Sequence, residues 1–190
     1  MMRDARRLLA LFVFGGIGLA ACDQIHLRFG VLRYPHPTPG LFGQPWWVPC
    51  LFGLATIVIV ATALPFARAA RPRTPEAYVS PYASGGIWFL AAYLLSGLAY
   101  RWPVPLAILY LVTFVLRVIW RGDRAPILGY AALLAAGGTL FEAWLSSTGA
   151  FAYTVTPWWL VPLWLPGLYL HGAPLAIAVT QRIDARRASD

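Results

Sequence analysis

Lysine is missing from this 190-residue chain, cysteine occurs twice, and acidic residues number only seven. Charged residues make up 12% of the chain against 59% hydrophobic ones, whereas a soluble domain carries about 25% charged residues. So little charge cannot cover a soluble core this apolar, and the mean hydropathy of +0.65 agrees; the chain reads as a membrane protein. The two cysteines, Cys22 and Cys50, exclude a disulfide scaffold. A single pairing between them is geometrically open, and burial as free thiols is the favoured state. Also absent are the HExxH helix, Cys/His metal spacings, the phosphate-cradling glycine loop and the GxSxG nucleophile turn. No metal or cofactor is called for.

What remains is six apolar runs: Leu8 to about Ile25, Trp46 to Phe66, Ser84 to Tyr100, Trp102 to about Trp120, Pro126 to Thr148, and Trp159 to Thr180. Each is near the ~20 residues that cross a ~30 Å hydrocarbon layer as a helix. The first and fourth are short, because Leu8–Cys22 and Trp102–Leu116 are the only parts free of charge. They span only if Asp23 and Arg117 sit near an interface or snorkel toward it. The expected fold is therefore all-α, a single domain of six transmembrane helices over residues 1–190. The connection from His26 to Pro45 contains Pro35, His36, Pro37, Thr38, Pro39 and Gly40, which cannot continue a helix.

All fifteen basic residues are arginine, and they fall in clumps between the runs. Six spans put both termini on one side. Twelve arginines lie on that side: Arg3, Arg6, Arg7, Arg68, Arg71, Arg73, Arg117, Arg121, Arg124, Arg182, Arg186 and Arg187. Three, Arg28, Arg33 and Arg101, lie on the other. The asymmetry predicts cytoplasmic termini. It also explains the net charge of +8 without a nucleic-acid partner.

The N-terminus supports a second reading. Met1–Arg7 is basic, Leu8–Ala20 apolar, and Leu19, Ala20, Ala21, Cys22 has the small-residue form of a lipoprotein cleavage site. Cleavage after residue 21 would leave a lipid-anchored Cys22 and five spans. The alternative is a first helix whose Gly15, Gly16 and Gly18 allow close packing.

Ionisable groups inside spans are costly and mark the first places to look for function. Glu142 lies about 9 Å from the outer end of span five. Asp23 and Gln24 close the outer end of span one at a similar depth, and His171 sits near the middle of span six. The functional reading is a polar cluster reached from the outer leaflet, holding a hydroxyl or glycerol-like head group. The structural reading has Glu142 protonated or paired with Arg28 or Arg101, and His171 donating to a carbonyl freed by Pro166 or Pro174. Glu142, Asp23 and His171 meeting at one place would make an acid/base site for a lipid or isoprenoid; Ser146 follows Glu142 on its helix face, with no histidine nearby in sequence.

Of nine tryptophans, Trp46, Trp47, Trp102, Trp158 and Trp159 fall at outer ends, as interfacial belts require, while Trp88, Trp144 and Trp164 do not. Rings beside Pro49, Pro105, Pro162 and Pro166 suggest bent helices that leave an aromatic cavity suited to a lipid or sterol. Span five, with Ala131, Ala132, Ala135, Ala136, Gly137 and Gly138, is the expected central, tightly packed helix.

Two segments carry a resemblance. Trp46, Trp47, Val48, Pro49 at the start of span two resembles the Trp-Trp-Val-Pro segment of the Insig (insulin-induced gene) proteins. Gly149, Ala150, Phe151, Ala152, Tyr153, Thr154, followed by Trp164, Leu165, Pro166, is similar to their Gly-x-Tyr-x-Tyr-Thr and Trp-Leu-Pro segments between spans five and six. The resemblance implies a six-helix membrane protein acting without catalysis. In eukaryotes such proteins bind oxysterols and retain sterol-sensing partners in the endoplasmic reticulum. For a bacterial-type member it implies a diacylglycerol-like ligand and the plasma membrane, and the arginine-rich, lysine-free composition suits a GC-rich bacterial genome. The family's aspartate after Tyr-Thr is Pro157 here, its Asn before the glycine is Thr148, and its second ring is Phe151. Partner retention therefore does not carry over, whereas a lipid cavity does.

The resulting expectation is a six-helix, Insig-like protein that binds a neutral lipid, diacylglycerol-like or sterol/isoprenoid-like, in a cavity open to the outer leaflet. Asp23, Gln24 and Glu142 are its expected polar contacts, with His171 deeper, and Trp47, Trp144, Tyr153 and Trp164 its expected walls. A homo-oligomer or a membrane-protein partner is open. A membrane enzyme using Glu142, Asp23 and His171, and a purely structural subunit, are the alternatives.

Overall fold

A computed structural model describes residues 2–36, 39–70, 80–119, 121, 123–156 and 159–188. Pro37, Thr38, Arg71, Arg73, Trp120, Pro157 and Trp158, named above, lie outside the described residues. Each apolar run holds one helix: α1 Met2–Phe29, α2 Trp47–Ala69, α3 Pro81–Ala99, α4 Pro103–Ile119, α5 Arg124–Ser147 and α6 Leu165–Ala188. Helices α1, α2, α3 and α5 are long and apolar enough to cross a membrane, and α4 is a shorter apolar helix. Helix α1 runs through Asp23 and on to Phe29, so Asp23 is internal to it rather than at its end. Helix α6 starts at Leu165 instead of Trp159, because Trp159 and Leu160 hold φ values of 43° and 64° that no right-handed helix accepts.

The prolines act differently from the expectation. Pro49 and Pro105 are the third residues of α2 and α4, Pro166 is the second of α6, and Pro162 precedes α6. A first helical turn has no backbone partner for its N–H groups, so proline is accommodated there without bending the helix. Only Pro65 in α2 and Pro174 in α6 are interior.

The central helix is α6, which packs against α2, α3, α4 and α5. Its buried residues, among them Leu165, Leu168, Ala173 and Ile177, face several directions. Helix α5 was the expected centre, but only one of its faces is covered: Ala131 and Ala135 are buried, while Ala132, Ala136 and Gly137 are exposed. Its glycines admit two neighbours closely, Gly138 against the Tyr169 ring of α6 and Gly129 against the Phe66 ring of α2.

Helix α1 packs on α2 and α3, and its glycines divide into two roles. A Cβ on Gly16 would lie 2.5 Å from the Pro49 carbonyl oxygen, and one on Gly53 of α2 would lie 2.7 Å from Phe12. Gly18, half a turn from Gly16, would meet nothing within 4 Å. Gly16→Ala should therefore destabilise the protein by about 1–3 kcal/mol, the range for overpacking a close contact, while Gly18→Ala leaves it unchanged. Thermal unfolding of both variants in one detergent checks this, and equal stabilities would refute the close-contact account.

One end of the bundle gathers the start of α1 and the ends of α2 and α6. Arg7, Arg182 and Arg186 border one cavity there, and Arg68 donates two 2.9 Å hydrogen bonds to Asp184. At the opposite end β1 (Leu32–Arg33) pairs antiparallel with β4 (Ala152–Tyr153), and β2 (Gly40–Leu41) forms a hairpin with β3 (Gln44–Pro45). The Thr154 hydroxyl donates to the Gly30 carbonyl at 2.7 Å. The Tyr-Thr pair thus ties the loop after α5 to the loop after α1. Trp46, Trp102 and Trp159 are exposed at this end, as an interfacial belt would be.

Candidate functional site

Two buried carboxylates organise the loop end of the bundle. Glu142 of α5 accepts hydrogen bonds from the hydroxyls of Tyr153 in β4 and Tyr169 in α6. Neither Arg28 nor Arg101, the arginine partners that the structural reading offered as the alternative to a protonated Glu142, is among these donors. Asp23 of α1 accepts from the Tyr34 hydroxyl and from Gln44 Nε2, each at 2.9 Å. Charge-assisted bonds of this kind offset the cost of taking a carboxyl group out of water. In the loop outside the helices, burial first and the Asp23 charge second push the Tyr34 phenol above its ordinary range, so Tyr34 remains the donor. Gln44 and Tyr34 were not singled out from the sequence; both lie in the connection between α1 and α2, whose two-residue strands are too short for periodicity to report which side chains turn inward.

Asp23, Trp47, Glu142 and Tyr153 come together around a small cavity of about 80 Å³. The shared depth of the two carboxylates was legible in the sequence. The histidine that joins them is His26, one turn after Asp23, and not His171. His171 sits elsewhere on α6, with Nε2 3.2 Å from the Tyr110 carbonyl and 3.3 Å from the Thr113 hydroxyl, stacked on Trp88. The carbonyl it meets belongs to α4 rather than to a position freed by Pro166 or Pro174. Its Nδ1 is buried without a hydrogen-bond partner.

Asp23, His26 and Ser96 succeed one another in the order of an acid, a base and a nucleophile. The His26 Nε2 to Ser96 Oγ distance is 2.8 Å, and His26 Nδ1 lies 3.9 Å from Asp23 Oδ1. Hydrogen-bond direction argues against activation. With the Ser96 hydroxyl donating to the Tyr93 carbonyl at 2.8 Å, His26 Nε2 is the donor to Ser96 in this arrangement rather than the acceptor a general base needs. Ser96 is also fully buried and borders neither cavity.

A much larger cavity, about 910 Å³, lies between α1, α2, α3 and α6. Gly15, Gly18 and Cys22 border it on α1, Phe89 and Tyr93 on α3, and Tyr169 and Gly172 on α6. Phe52, Ala55, Tyr93, Leu168 and Tyr169 border both this cavity and the small one. Its far end reaches Arg7, Arg182 and Arg186. The sequence reading had a cavity open toward the loop end; the large void instead extends to the end that carries both chain termini. Cys22 and Cys50 are free thiols, and only Cys22 borders the cavity.

None of the eight residues proposed from the sequence borders the large cavity. Trp164 is completely buried, with His26 and Tyr153 against its ring. Trp144 is turned outward, 60% exposed beside Phe141, and Gln24 is half-buried with its carbonyl oxygen unpartnered. The large cavity escaped sequence analysis because glycines and aliphatic and aromatic residues border it, and such residues look the same in a filled bundle.

No family model matches the sequence, and no curated protein matches it. Two crystal structures do match in fold. Both are of MvINS, a mycobacterial Insig homologue from Mycobacterium vanbaalenii, one of them as a cross-linked trimer of a variant. Each is 23% identical to this chain, with 95% of either chain covered and a TM-score of 0.76. The chain therefore has the Insig-like fold that its Trp-Trp-Val-Pro and Tyr-Thr segments suggested.

Proposed function

Starting from an Insig-type fold, we propose that this is a non-catalytic integral membrane protein that binds one lipid molecule between α1, α2, α3 and α6. The observation that carries the reading is the cavity itself. Its volume of about 910 Å³ falls in the range of ligand pockets, roughly 300–1,000 Å³, and aliphatic and aromatic side chains dominate its walls. A molecule with a diacylglycerol-like or sterol-like body suits such walls. The arginine asymmetry supports cytoplasmic termini, which places the arginine end of the cavity at the cytoplasmic leaflet of a bacterial plasma membrane.

Occupancy would set how α1 and α6 sit relative to each other, because the cavity separates them, and this gives a lipid-dependent signal to a membrane partner. The trimer of the neighbouring Insig homologue supports a homo-oligomer here as well. The carboxylates Asp23 and Glu142 act in this reading as anchors of the loop end. An acid/base enzyme is disfavoured by the direction of the His26–Ser96 hydrogen bond and the burial of Ser96.

The test is native mass spectrometry after extraction in a mild detergent. A single bound lipid per chain is expected. Protein that stays lipid-free, and takes up none when lipid is added back, would refute the reading.

A further inference from the structure

We infer that Tyr93 is the polar contact of the bound lipid, its hydroxyl holding a free hydroxyl of a neutral amphiphile at the loop-side end of the large cavity. This rests on the lipid-binding reading and names the ligand group and the residue that reading leaves open.

Thr56, Tyr93 and Tyr169 bring hydroxyl groups to the cavity from within the bundle. Two of the three are committed: the Thr56 hydroxyl donates to the Phe52 carbonyl at 2.9 Å, and the Tyr169 hydroxyl donates to Glu142. The Tyr93 hydroxyl has no hydrogen-bond partner among the described residues, although Tyr93 is only 8% exposed. Its oxygen is not closed off in the packing either, and Tyr93 borders the cavity, so the group that answers it comes from the void. A phenol taken out of water without a partner is costly, and a ligand that supplies the missing bond binds there for that reason.

The Tyr93 ring is held in place. It stacks on His26 with centroids 4.9 Å apart and meets Phe89 edge-on at 5.1 Å. His26 is in turn fixed by Ser96 at 2.8 Å, and the Ser96 hydroxyl donates to the Tyr93 carbonyl. The His26–Ser96 pair, arranged like part of a catalytic relay, thus serves as a mount for Tyr93. A donor fixed before binding loses little freedom when the ligand arrives.

The partner chemistry favours a hydroxyl. Tyr169 packs against the cluster that contains Tyr93, and its hydrogen is given to Glu142, so its oxygen is left to accept. Tyr93 offers a donor and Tyr169 an acceptor. A ligand hydroxyl uses both, a carbonyl or ether oxygen uses only the first, and an anion would face the Tyr169 lone pairs.

The experiment uses the purified full chain in a nonionic detergent and two probe pairs, each differing by one hydroxyl. Dioleoylglycerol is compared with 1,2-propanediol dioleate, and cholesterol with 5-cholestene; the pair that binds identifies an acyl or a ring body. In that pair the hydroxyl-bearing member should bind about threefold to tenfold tighter, as one net hydrogen bond allows. In Tyr93→Phe the two members should bind within about 1.5-fold of each other, with the hydroxyl-free member unchanged from wild type. The ring contacts survive this substitution, so the melting temperature should hold. Tyr100→Phe, which makes the same change outside both cavities, should keep the full preference.

Equal binding of both members to the wild-type chain would overturn the hydroxyl inference and leave the lipid-binding reading standing. A preference that persists in Tyr93→Phe, or a loss of both members together, would overturn the assignment of Tyr93. Binding of neither pair would instead refute the lipid-binding reading itself.

Discussion

Replacing Gly18 with tryptophan is expected to reduce bound lipid at least about tenfold while leaving the protein folded. Gly18 borders the large cavity, and a Cβ built there meets no atom within 4 Å. An indole would extend into space that the ligand needs. Filling a void commonly stabilises a protein by about 0.5–2 kcal/mol, so the variant's melting temperature should hold or rise as its lipid content falls. Loss of stability together with loss of lipid would point to general damage, and Gly16→Ala supplies the comparison because its Cβ would press on the Pro49 carbonyl. Native mass spectrometry and thermal unfolding of the same preparations check both quantities. Wild-type lipid content in a stable Gly18→Trp protein would remove the cavity from the proposed function.

Glu142→Leu should have the largest effect on stability. The substitution deprives the Tyr153 and Tyr169 hydroxyls of their acceptor inside the bundle. A buried donor left unsatisfied costs about 1–3 kcal/mol, so two of them cost about 2–6 kcal/mol. Replacing donors and acceptor together should recover most of the loss, because apolar groups of similar shape need no partner. The triple variant Glu142→Leu/Tyr153→Phe/Tyr169→Phe should therefore melt closer to wild type than Glu142→Leu alone. Unfolding curves in one detergent decide the matter, and an unchanged melting temperature in the single variant would contradict the anchoring role. Tyr153 lies in β4, which pairs with β1, so the damage should spread to the loops after α1 and α5.

These variants separate two things that sequence reading placed together. Asp23 and Glu142 share a depth, and the sequence showed it, since residue counts along two helices are enough to estimate depth. That shared depth made them look like the polar end of a lipid site. In the fold each is answered by donors from its own protein, Asp23 by Tyr34 and Gln44 and Glu142 by two tyrosines. Depth is a one-dimensional quantity, and partner choice depends on rotation about the helix axis and on loop geometry. Trp144 illustrates the same point: it shares α5 with Glu142, two residues on, and faces outward.

The number of helices, the clustering of arginine and the two motif segments were all legible in the sequence, because they are local properties of composition and order. Six apolar runs became six helices, and the segment around Tyr153 and Thr154 became the tie between two loops. The tertiary structure decided the remainder. It made α6 the hub in place of the alanine-rich α5, since small residues permit close approach without specifying how many neighbours will come. It also left space open beside Gly18 and closed the contact at Gly16. A glycine records only the absence of a side chain, and whether that space is filled by a neighbouring helix or left for a ligand depends on where the neighbours pack.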